Sequence, residues 1–269
     1  MKKYFNSLYP AAGRLLLTGL FLLFIGAFAM TSCRSADNRE VPSPPASSRV
    51  PHPEATTVAT KQKMNMPPHS IVEYSAHGTP SRLKGEDLTG PVASGAVYQS
   101  ALAKRDHGEM VFLWLEGYRE FFKLTAPRKQ LRIESVKTDQ LGSTHVKMQQ
   151  IAGAVPVWGK SIAIHFNGVN AIYLFQGDYL PAAILADIDP SRAMTASKAS
   201  AKALAAVEGD AAQWQVQDTS LAVYAAGNQS PRLAYVVIVA KGFAQRFQYI
   251  VDAENGTILD KFNLIRTGV

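Results

Sequence analysis

The chain has 269 residues, of which 47% are hydrophobic and 18% charged, and its formal charge is +7. These values fit a globular protein of one or two domains with a sizeable core. A single cysteine, Cys33, excludes an intrachain disulfide and any CxxC-type zinc site within these residues.

The first residues read as a targeting segment. Lys2 and Lys3 open the chain, and an apolar run from Leu15 to Met30 ends in small residues, which fits a secretory h-region and is short for a membrane span. Removing Lys2, Lys3 and Arg14 with that segment leaves about +4. No dense Lys/Arg run with interleaved aromatics follows, so no nucleic-acid partner is expected. Met30-Thr31-Ser32-Cys33 resembles a bacterial lipobox, with Met30 where Leu is usual. That resemblance implies lipidation of Cys33, a lipid anchor in the cell envelope and, with Arg34 next, delivery to the outer membrane in a Gram-negative cell. Ordinary signal cleavage after Ala29, giving a secreted protein, and an uncleaved anchor are the alternatives.

Residues 34–93 are expected to be a tether and loops. Pro42, Pro44, Pro45, Pro51, Pro53, Pro67 and Pro68 crowd a stretch rich in Ser, Thr and Ala that cannot pack a core. Gly78, Pro80, Gly85, Gly90 and Pro91 then argue for loops. From Ser94 the pattern is helical. Val97, Ala101 and Leu102 form a first set, broken near His107-Gly108. Met110, Leu113, Trp114, Gly117, Phe121 and Leu124 recur at helical spacing until Pro127 ends the run.

Leu131 to Val136 reads as a strand and Asp139 to Ser143 as its turn. Thr144 to His165 then reads as one long β-hairpin. Val146, Met148, Ile162 and Ile164 alternate with polar residues, as in a sheet with one buried and one wet face. A turn centred near Val155 places His145 opposite His165, Lys147 opposite Ala163 and Gln149 opposite Ser161, all on the wet face. A slip of one residue would reverse every side chain, so the pattern pins the register. Asn167-Gly168 signals a two-residue hairpin turn into a strand around Ala171 to Phe175.

Asp187 to Ser191 is read as a joint. Thr195 caps an alanine-rich helix running to about Val207. Strands are expected at Leu221–Tyr224, Leu233–Ala240, Phe247–Asp252 and Thr257–Asn263. The fold class is therefore α+β, as two consecutive helix-plus-antiparallel-sheet modules over residues 94–186 and 187–269.

Asp139 to Gln150, followed by Val155-Pro156-Val157-Trp158-Gly159-Lys160 and His165, resembles the fungalysin/thermolysin propeptide module. Residues 194–264 resemble a PepSY domain, through Leu233-Ala234-Tyr235 and Tyr249 to Ile258. Together they resemble the prosequence of a thermolysin-like metalloprotease, which implies a folding chaperone and temporary inhibitor of a zinc protease. One departure is Ala154, after Gly153, where the family usually has Gly. If that position needs positive φ, the turn is expected to be reshaped.

No His-Glu-x-x-His occurs, so the zinc-and-glutamate machinery of such proteases is missing from these residues. No nucleophile elbow or glycine-rich phosphate loop is present either, so no catalytic residue, cofactor or metal is assigned. His145 and His165 would make a metal or pH-sensing pair if they are cross-strand neighbours, although polar-face residues are the simpler reading. Asp252-Ala253-Glu254-Asn255-Gly256 reads as a hairpin turn rather than acid/base machinery. Gln149, Gln150, Pro156, Trp158 and Lys160, with His145 and His165, are the candidate partner-binding residues. Trp158 is either an interface anchor or a core residue beside the turn. The expected function is a non-catalytic, prosequence-like lipoprotein that inhibits a thermolysin-like metalloprotease, or assists its folding, in trans. A truncated protease precursor and an envelope binding module on the same scaffold are the alternatives.

Overall fold

The computed structural model describes residue 64 and residues 67–225 and 229–265. All of them belong to one compact unit, residues 56–269. Cys33, the apolar run before it and most of the Pro-rich tether lie outside the described residues. Among the described residues, no helix is long and apolar enough to cross a membrane.

The architecture is α+β. Strands β3 (Leu131–Thr138), β4 (Thr144–Ala152), β5 (Val155–Phe166) and β6 (Ile172–Asp178) form an antiparallel meander. The alternation of the long hairpin does what it predicts: Val146, Met148, Ile162 and Ile164 are buried. Helices α1 (Ala96–Ala103) and α2 (His107–Gly117) cover that apolar face, with Trp114 fully buried against Phe122 and Phe175.

Several expectations are corrected here. The segment read as loops holds strands β1 (Ile71–Tyr74) and β2 (Pro80–Lys84), which extend the sheet beyond β6. They are short strands, β1 at the sheet edge and β2 between it and β6, and Leu83 is their main core residue, so period-two alternation has little length in which to show. The long helix stops at Gly117, and Val111, Leu115 and Phe122 are buried where Leu113 and Phe121 are only partly so. Its start is fixed by Asp106, whose carboxylate accepts the Glu109 N–H at 3.0 Å. Pro127 does not end a helix but begins the single-turn helix α3 (Pro127–Gln130), where its missing N–H costs nothing. Asn167-Gly168 does not form a two-residue turn. Asn167 closes a longer loop by accepting from Val169 and Ala171, and the left-handed residue is Asn170 (φ 63°).

In the second half, Thr195 caps α4 (Ala196–Ala205), accepting from Lys198 N at 3.4 Å. Ala199 and Ala203 are fully buried, and their small side chains let α4 pack close to the sheet. That sheet runs β7 (Gln215–Tyr224), β8 (Arg232–Lys241), β9 (Gln245–Asp252) and β10 (Ile258–Asn263), all antiparallel. A parallel bridge between Val157 of β5 and Val223 of β7 joins the two halves. Ala152, Val157, Leu180 and Leu185 are packed into the core under α4.

Candidate functional site: the β4–β5 hairpin

The hairpin has the register its alternation predicts. His145 pairs with His165, Lys147 with Ala163 and Gln149 with Ser161. The turn nevertheless lies at Gly153-Ala154, with Ala152 opposite Val155 and Ile151 opposite Pro156. A bulge reconciles the two. Between the Gln149 and Ile151 pairs, β5 spends more residues than β4, and Gly159 sits there at φ 69°. Gly153 (φ 53°) and Ala154 (φ 70°) are both left-handed, as a tight primed turn requires. The turn is therefore not reshaped to suit Ala154. Its Cβ is carried in a conformation that costs about 1 kcal/mol.

Gln149 holds the bulge in place. Its side-chain amide lies within donating distance of three carbonyls, those of Gln150 (3.0 Å), Val157 (2.7 Å) and Lys160 (2.8 Å). Two N–H groups serve three acceptors, so one bond is shared. Gln150 is fully buried. It donates from Nε2 to the Leu180 carbonyl at 2.7 Å and accepts the Leu180 N–H at 2.9 Å, as a strand partner would. In this conformation the Gln150 side chain cannot reach a partner. Pro156 is half-buried in β5. Lys160 Nζ meets Asp178 at 2.6 Å.

Trp158 bridges the halves. Its ring stacks on Phe262 at 5.4 Å between centroids and tilts against Tyr224 at the same distance. Beneath these rings lie Ala222, Ala234, Val236 and Ile250, on the face of the second sheet opposite α4. The Tyr224 hydroxyl donates to Asp260 at 2.8 Å. Burial and that carboxylate push its phenol up to about 12. Trp158 thus has packing partners and remains half-buried, with part of the ring at the surface.

At the other end of the hairpin, His145 Nδ1 and His165 Nδ1 are 2.6 Å apart. His145 Nε2 lies 3.1 Å from Asp139 Oδ2. Asp139 also accepts the N–H groups of Leu141 and Ser143 and so shapes the β3–β4 turn. The hydrogen bond from His145, then those backbone N–H groups, hold its carboxyl below the usual carboxylate range. Burial, followed by the neighbouring His145, lowers the His165 pKa. Asp139 is a third member of this chain that the sequence reading does not name. Its signal was present: a turn-forming Asp just before a histidine whose cross-strand partner the register already named. Among the described residues, no group of three or more His, Cys, Asp or Glu is arranged to hold a metal ion.

The strands that carry this site lie within a family match: residues 129–179 match the Fungalysin/Thermolysin Propeptide Motif. The relatives are proteases. The chain is 27% identical over 169 residues to bacillolysin of Bacillus cereus, covering 58% of this chain and 28% of that protein. It is 29% identical over 210 residues to the thermostable neutral protease NprT of Geobacillus stearothermophilus, covering 73% of this chain and 35% of that protein. The chain thus spans about a third or less of the length of the curated relatives it matches. Among solved structures, the Bacillus megaterium YpeB C-terminal domain aligns with a TM-score of 0.35 at 11% identity, over 73% of this chain and 76% of that one.

Proposed function

We propose that this chain is a non-catalytic, prosequence-like protein of the cell envelope that binds a thermolysin-like zinc metalloprotease in trans, inhibiting it or assisting its folding. The observation that carries this reading is the propeptide motif over residues 129–179, in a chain whose relatives are thermolysin-type proteases. On this reading residues 94–186 are the propeptide-motif module and residues 187–269 a PepSY-like companion. Lipidation of Cys33 would hold both at a membrane surface, with a secreted form as the alternative.

The partner surface proposed here is centred on the exposed part of Trp158 and on Pro156 and Lys160, where β5 leaves the turn. A half-buried aromatic flanked by a rigid bulge is pre-organised, so little side-chain freedom is lost on binding. Gln149 supports that surface from behind through its bonds to the Val157 and Lys160 carbonyls.

The test is titration of the intact chain against an active thermolysin-like protease, and against the same protease refolding from denaturant. Saturable inhibition at a fixed stoichiometry, or a raised refolding yield, is the expected result. Digestion of the chain with neither effect would remove this reading.

A further inference from the structure

The end of the hairpin away from its turn holds two imidazoles in a contact that depends on their protonation. His145 Nε2 faces the Asp139 carboxylate, so that nitrogen carries a hydrogen and donates it. In the neutral ring His145 Nδ1 is then bare, and the hydrogen in the 2.6 Å Nδ1–Nδ1 contact belongs to His165. This leaves His165 Nε2 as a bare nitrogen. It is buried and finds no hydrogen-bond partner among the described residues.

While one hydrogen fills the Nδ1–Nδ1 contact, a first added proton has only His165 Nε2 to occupy, where it would be a buried donor without an acceptor. A second would place hydrogens on both Nδ1 atoms, pointing at each other across 2.6 Å. The neutral pair is therefore the state in which the closed contact carries no buried donor without an acceptor.

The surroundings add to this. Lys137 of β3 is the register partner of His145, and Lys84 of β2 lies in the same cross-strand row beyond Leu174 of β6. Lys147, two residues along β4 on the same face, is paired to Glu134 at 2.8 Å, and Arg82 of β2 to Glu73 at 3.4 Å. The Tyr173 ring of β6 lies 6.2 Å from His165. Among the described residues, Asp139 is the one carboxylate bonded to the pair, and its bond is to His145. On the opposite face, His107 of α2 packs edge-on to Phe166 and bonds Asn170 at 2.9 Å.

We propose that Asp139, His145 and His165 form a proton-operated latch, closed when both rings are neutral, which releases the β3–β4 turn from β5 when His165 takes up a proton. This rests on the hairpin geometry alone and not on the protease reading.

The experiment is a histidine-labelled two-bond proton–nitrogen correlation on the intact chain from pH 8 to pH 4.5, with amide exchange followed in parallel. At pH 8 the expected pattern is an Nε2–H tautomer for His145 and an Nδ1–H tautomer for His165. As His165 protonates, protection at Thr144–Val146 and Ile164–Phe166 should fall by about tenfold or more, while β8 and β9 stay protected. His165→Gln should abolish that step. Should that variant fail to fold, His145→Gln removes the same contact from its more exposed side. His165 titrating as a free imidazole near pH 6.5, pH-independent protection at those amides, or an unchanged transition in either variant would each overturn the latch.

Discussion

The side-chain amide of Gln149 lies 2.8 Å from the Lys160 carbonyl and 2.7 Å from that of Val157, so one glutamine on β4 ties together the bulge of its neighbour strand. These carbonyls lie where the ladder is interrupted, and without Gln149 they lose their side-chain donor. Gln149→Ala should cost about 1–3 kcal/mol, read as a lower urea midpoint at unchanged slope. A loss below a few tenths of a kcal/mol would mean that water replaces the amide freely.

Ala154 is strained where Gly would not be. Returning a glycine removes the left-handed penalty but frees the unfolded chain, and the first effect is the larger. Ala154→Gly is expected to stabilise the protein by a few tenths of a kcal/mol, up to roughly 0.6, measured by thermal and urea unfolding. Destabilisation would show that the turn relaxes around the methyl group at no cost.

Trp158 has a structural role and a proposed binding role, and they separate by substitution. Trp158→Phe should keep most of the stacking on Phe262 and Tyr224. Trp158→Ala leaves Ala222, Ala234 and Ile250 uncovered and should cost about 2–3 kcal/mol. If the ring is also an interface anchor, Trp158→Phe will weaken protease inhibition while leaving the melting temperature close to wild type. Inhibition that follows stability alone across both variants would leave Trp158 purely a packing residue.

Acid should weaken the fold in two windows. His165 is harder to protonate in the folded protein than in the unfolded chain, whose value is near 6.5. Stability is therefore full above about pH 6.5 and declines as pH falls toward the lowered folded value. Asp139 is likewise depressed from 3.8, so its contribution is present above that pH and is lost as pH falls through its folded value. Urea midpoints measured from pH 7.5 to pH 3 should show both declines. His165→Gln should remove the upper one and Asp139→Asn the lower. A flat profile from pH 7.5 to pH 5 would contradict the first assignment.

The hairpin was legible because alternation over many residues leaves only one register that buries Val146, Met148, Ile162 and Ile164. Its turn was not, because the bulge at Gly159 makes up the difference between a pivot at Val155 and the real turn at Gly153-Ala154. Gln149 and Gln150 look alike in sequence. One bonds the bulge and the other mimics backbone to Leu180, a difference set by a strand end far along the chain. The place of Trp158 depends in the same way on Tyr224 and Phe262, which no local pattern could supply. Strands β1 and β2 were hidden by their shortness and their turn residues.

The bridge between Val157 and Val223 limits how the gene can be cut. Ala152, Val157, Leu180 and Leu185 are encoded before the joint at Asp187–Ser191, yet they complete the core beneath α4. A clone ending at that joint would carry their apolar side chains into solvent, and one beginning there would express a helix and sheet with an open flank. Either fragment should be recovered mainly from inclusion bodies, whereas co-expression of the two should restore soluble protein by complementation.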